Sequence, residues 1–165
     1  MLLLLTPMSA QASKVYLAPG LEMTLPSALA LDVIELQDHY QGSILVGEVN
    51  NTPGYFIAAS KANAWEKNAV LWKRLESGIR LQSDTDDFVL LKRGNFYTHN
   101  NNLVWFRAYE YQSAGQTHRQ VYFLLKNQNR VYWITLTMID SVGIDLTIPI
   151  TTTLIQRARI LQEPE

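Results

Sequence analysis

The chain has 165 residues, 47% hydrophobic and 18% charged, which fits one globular domain and excludes a disordered or fibrous chain. With 14 Lys and Arg against 15 Asp and Glu the formal charge is −1, so no broad basic surface for nucleic acid or anionic lipid is expected. Cysteine is absent, which excludes thiol catalysis, disulfides and cysteine-type zinc sites.

The chain opens on an apolar run, Leu2 to Leu5, followed by Ala10-Gln11-Ala12, the small-x-small pattern that a signal peptidase cuts. This predicts a signal peptide over residues 1–12, cleavage before Ser13, and a periplasmic or secreted domain over residues 13–165. No Lys or Arg precedes the run, which leaves a buried amino-terminal strand as the second reading. Four leucines fall far short of the ~20 apolar residues that span a bilayer. No Cys follows that could carry a lipid.

Beyond the leader, Gly20 to Leu25 reads as a strand stopped by Pro26. Leu29 to Leu36 and Ser43 to Val49 alternate or run apolar around a Gln41-Gly42 turn, and Asn50 to Gly54 reads as a further turn before a short strand, Tyr55 to Ala59. Asn63 and Glu66 have capping-box spacing and predict a helix start. Trp65, Ala69, Trp72, Leu75 and Ile79 then recur every three or four residues, an apolar stripe expected to be core. An acidic loop, Ser83 to Asp87, leads to four strands, Phe88 to Lys92, Leu103 to Tyr111, Val121 to Lys126 and Val131 to Met138. Asn-rich and Gly-containing turns join them, so an antiparallel meander is expected. Ile144, Leu146 and Ile148 alternate like a strand, yet Pro149 suits the first turn of a helix running through Leu154 and Ile155, and a closing helix is the preferred reading. The expected class is therefore α+β: an antiparallel sheet packed against an amphipathic helix and a carboxy-terminal helix.

This order of elements resembles the PsbP/DcrB-like group of bacterial envelope and thylakoid-lumen proteins. The residues that carry the likeness are Gly20-Leu21-Glu22-Met23-Thr24-Leu25-Pro26, the Trp65 to Ile79 helix, the Val131-Tyr132-Trp133-Ile134-Thr135-Leu136-Thr137 strand and the terminal apolar segment. The resemblance implies an accessory, partner-binding role in the envelope without catalysis, and it brings no shared catalytic residue.

Chemical motifs are sparse. His39, His99 and His118 stand too far apart in sequence for a metal pair on one helix or loop. Asp84, Asp86 and Asp87 resemble a calcium loop, but Val89 and Asn95 stand where an EF-hand needs Gly and Glu. Gly42 and Gly47 have P-loop spacing but are followed by Glu48 instead of Lys and a hydroxyl. Glu35, Asp38 and His39 lie close enough for acid–base work, the basis of a hydrolase reading that ranks below a polar turn. No catalytic residue, cofactor or metal is expected.

One feature stands above this background. Alternation puts Val104, Phe106 and Ala108 on one face of their strand and Trp105, Arg107, Tyr109 and Tyr111 on the other, and it separates Trp133 from Tyr132 and Ile134 in the same way. Trp105, Arg107, Tyr109 and Trp133 thus form a candidate surface for an envelope protein partner, built from residue types enriched at binding hot spots. Cross-strand aromatic pairing is the structural alternative. A small apolar ligand held between a curved sheet and a helix is the alternative function.

Overall fold

The computed structural model describes residues 13–26, 31–36, 42–49, 52–62, 64–84, 88–138 and 143–161. The expected signal peptide, Asn63, and Asp38, His39, Asp86 and Asp87 lie outside these residues. The chain runs β1 (Ser13–Ala18), β2 (Leu21–Leu25), β3 (Leu31–Leu36), β4 (Gly42–Val49), β5 (Thr52–Ala62), α1 (Asn68–Gln82), β6 (Phe88–Tyr97), β7 (Leu103–Ser113), β8 (Gln116–Lys126), β9 (Val131–Met138), α2 (Ile144–Gln156) and β10 (Ala158–Ile160).

Among the described residues there are two sheets. Seven strands form an antiparallel sheet in the order β3-β4-β5-β9-β8-β7-β6, which contains the expected meander, and a small sheet has the order β1-β2-β10. The α+β architecture read from the sequence holds. Strands β1 and β10 are additions: β10 has three residues, too few to register as a periodic signal. Strand β5 begins at Thr52, inside the expected turn. Pro53 fits there because it pairs with Glu48 beside a bulge and β9 joins only from Tyr55 onward, so Pro53 needs no second ladder bond.

The central strands of the large sheet are buried on both faces. On one, Val104, Ala108, Val121, Phe123, Leu125, Ile134 and Leu136 pack with Val15, Leu17, Leu21 and Met23 of the small sheet and Ile148, Leu154 and Ile155 of α2. On the other, Tyr109, Tyr111, Tyr122, Leu124 and Val131 pack under Leu71, Trp72 and Ile79 of α1. Fully burying each large side chain contributes about 1.5–3 kcal/mol, so both faces hold the fold.

Both helices depart from their expected bounds. Helix α1 starts at Asn68, not near Asn63. Its N-cap is Lys67, which is extended and makes no side-chain cap bond, and the backbone amides of Val70 and Leu71 donate to the Lys67 carbonyl. Trp65 therefore lies before the helix, outside the stripe, and is 95% exposed, which corrects its expected place in the core. Helix α2 starts at Ile144, so Pro149 is interior and removes one backbone bond. Packing outweighs that cost, because Thr147, Ile148, Thr151, Leu154 and Ile155 form one buried stripe at helical spacing. Thr151 and Thr153 donate their hydroxyls to the carbonyls four residues back, at 2.9 and 3.0 Å.

Candidate functional site

The register across the meander lines up the sequence-predicted residues. Trp105 is opposite Leu124, which is opposite Trp133; Arg107 is opposite Tyr122; Tyr109 is opposite Gln120. All four therefore share one face of the sheet, as the alternation requires. That face is not an open surface. Helix α1 lies on it, Tyr109 is fully buried, and Trp105, Arg107 and Trp133 are half-buried. Alternation reports which side chains share a face and carries no information on what covers them.

Beneath α1 the polar atoms are tied together. Glu76 Oε1 accepts from Arg107 Nη1 at 2.6 Å and from the Tyr109 hydroxyl at 2.7 Å. The Arg107 guanidinium also lies 4.5 Å from the Trp72 ring, and Trp72 meets Trp133 edge-on at 4.8 Å. Contacts of these kinds add about 0.5–2 kcal/mol each beyond simple burial. Further along, Gln120 Oε1 accepts from the hydroxyls of Tyr111 and Tyr122, and Gln120 Nε2 donates to Thr137. Burial, then the Glu76 hydrogen bond, pushes the Tyr109 hydroxyl well above its usual range; burial does the same to Tyr122, and it also raises Tyr111.

Open space remains on both flanks of the helix. On one side, Trp105 and Arg107 join Trp72 and Arg93 around a depression of about 320 Å³. On the other, a groove of about 520 Å³ has Tyr122 and Trp133 as its floor, Leu71, Leu75 and Ile79 as its helical wall, and Lys61 and Arg74 at its rim. Arg74 is held there by Glu66 at 2.7 Å. Gly78 lies on the groove, and a Cβ at that position meets nothing within 4 Å. Of the four predicted residues, Trp133 thus reaches this groove, Trp105 and Arg107 reach the other depression, and Tyr109 reaches neither. The sequence reading gave Leu75 only as core and did not single out Tyr122, Lys61 or Gly78. Gly78 had a signal: glycine within a helix costs about 1 kcal/mol relative to alanine.

The other polar candidates have structural surroundings. Asp84 accepts from the backbone amides of Ala114 and Gly115 at 3.0 and 2.8 Å, and these bonds hold its carboxyl below the usual carboxylate range. It ties down the β7–β8 turn. His118 stacks on Tyr111 with ring centroids 5.5 Å apart. Glu35 is exposed on β3. Among the described residues, no group of three or more His, Asp or Glu is placed to hold a metal ion.

No family model and no curated protein matches the sequence. Solved structures do match. CyanoP, the cyanobacterial PsbP of Synechocystis sp. PCC 6803, superposes with a TM-score of 0.60 at 9% identity over 94% of this chain and 96% of its own. LpqN of Mycobacterium tuberculosis, involved in cell envelope biogenesis, gives 0.56 at 13% identity over 94% and 88%. PA94 of Pseudomonas aeruginosa, a protein of unknown function and putative regulator, gives 0.51 at 15% identity over 87% and 92%. At these identities the likeness is one of fold, and it agrees with the order of elements read from the sequence: the chain has the PsbP-like fold.

Proposed function

We propose that this protein is an exported, non-catalytic accessory of the bacterial envelope that holds an apolar, acid-flanked segment of a partner protein in the groove beside α1. The observation that carries the proposal is the groove itself: aromatic and aliphatic side chains line an open trough with Lys61 and Arg74 at its rim. An open trough along a helix suits an elongated segment, because a small apolar molecule would leave one side in water. Lys61 at the rim favours an acidic residue flanking that segment, whereas Arg74 is already paired with Glu66.

Gly78 supports the reading. Alanine would fit and favour the helix, yet the position is glycine and the trough stays clear. The envelope assignment draws on the Ala10-Gln11-Ala12 pattern and on the shared fold with LpqN, which is involved in cell envelope biogenesis. Among the described residues no helix is long and apolar enough to cross a membrane.

The test is Gly78→Phe, which places a ring in the trough and leaves the helix–sheet contacts in place. The variant should keep its denaturant midpoint and lose capture of its protein partner from envelope extract. Unchanged capture by the folded variant contradicts the proposal. A small apolar molecule co-purifying with wild type and lost from the variant would assign the groove to that ligand instead.

A further inference from the structure

The meander brings two hairpin tips together at one end of the large sheet, because Ala62, Val131, Lys126, Leu103 and Tyr97 are in register across β5, β9, β8, β7 and β6. Between the β6–β7 and β8–β9 tips lies an open depression of about 990 Å³ whose composition is unlike the α1 groove. Three cations, Lys61, Lys126 and Arg130, and the side-chain amides of both tips line it, with Leu103 and Leu161. No carboxylate is among the described residues that do so.

The tips are rigid. Asn127 Oδ1 accepts from the backbone amides of Asn129 and Arg130 at 3.0 and 2.8 Å, and the Asn127 amide donates to the Arg130 carbonyl at 3.0 Å. The neighbouring tip closes through Thr98, whose amide donates to the Asn102 carbonyl at 2.9 Å while its hydroxyl accepts from the Asn102 amide at 3.1 Å. Arg130 Nη1 donates to the Leu161 carbonyl at 2.6 Å, which joins the carboxy-terminal segment to the wall.

We infer that this end of the sheet binds an acidic glycan, a sugar chain carrying carboxylate or phosphate groups. Side-chain amides both donate and accept and so match arrays of sugar hydroxyls, whereas the lysines supply point charges for the anionic groups. Two leucines give too little apolar area for a lipid or an apolar peptide. Among the described residues no aromatic ring lines the depression for bases to stack on, and the chain's charge of −1 lacks the electrostatic footprint of a nucleic-acid protein.

The inference is tested by calorimetric titration of the full chain at low ionic strength with a galacturonate hexamer, maltohexaose, inorganic sulfate and a thymidine hexanucleotide. The galacturonate hexamer should bind at least about tenfold more tightly than each of the others, with affinity falling as salt is raised. Lys126→Gln should weaken it about fivefold or more, and Asn102→Ala should weaken the hexamer without changing sulfate. Both changes lie outside the α1 groove, so this outcome is separable from the fate of the proposed function. Equal binding of maltohexaose, sulfate or the hexanucleotide overturns the inference, as does absence of hexamer binding or affinity unmoved in both folded variants.

Discussion

Arg107 on β7 lies 2.6 Å from Glu76 on α1, and that contact anchors the helix to a sheet face which alternation alone would leave open to solvent. The Tyr109 hydroxyl shares the same carboxylate oxygen. Glu76→Leu should therefore destabilise the fold by about 1–3 kcal/mol, the cost of leaving a buried hydroxyl and a half-buried cation without their acceptor. Chemical denaturation measures it. In a double-mutant cycle, Glu76→Leu with Tyr109→Phe should be less than additive, because the second change removes a donor the first has orphaned.

The buried tyrosines set the alkaline limit. Tyr109, Tyr111 and Tyr122 hold their protons more strongly in the folded protein than tyrosine does in an unfolded chain. Above pH of about 10 the unfolded chain releases protons that the native state keeps, so stability should fall as pH rises from there. Denaturant midpoints measured from neutral to strongly alkaline pH should show this decline. Tyr109→Phe should make it shallower.

Trp72 and Trp65 should behave oppositely. Trp72 is 5% exposed, under Arg107 and against Trp133, and Trp72→Ala should cost about 3–5 kcal/mol. Trp65→Ala should cost less than about 1 kcal/mol, because Trp65 lies almost wholly in solvent. Equal midpoints for the two variants would overturn the placement of α1.

Strand β6 is an edge of the large sheet, and it exposes Val89, Leu90 and Leu91 beside Lys92 and Arg93. Charges on an edge strand discourage pairing with another chain. The double change Lys92→Val with Arg93→Val should raise self-association above that of the wild type at equal concentration, read by light scattering.

Much of this fold is legible in the sequence. The β9 bounds follow from its alternation, and the split of β7 and β9 side chains into two faces is a period-two consequence that no tertiary contact altered. Covering was not legible. Trp105, Arg107, Tyr109 and Trp133 read as an outer face because nothing in their spacing encodes the helix that lies on them. Trp65 misled for a related reason: its three-to-four spacing counts only if the chain is already helical there, and the helix begins at Asn68. The candidate groove was less legible still, since Lys61 and Trp133 are brought beside Gly78 by the β5–β9 pairing.

The central claim, that the groove beside α1 receives a partner's apolar segment, is tested most directly by placing a photo-crosslinking amino acid at position 78 and irradiating cells that make the full chain. The account predicts a discrete protein adduct, joined through an apolar stretch with acidic neighbours, that does not form when the crosslinker is moved to Ser77 on the exposed side of the helix. The absence of a protein adduct from position 78, or the same adducts from both positions, would contradict it.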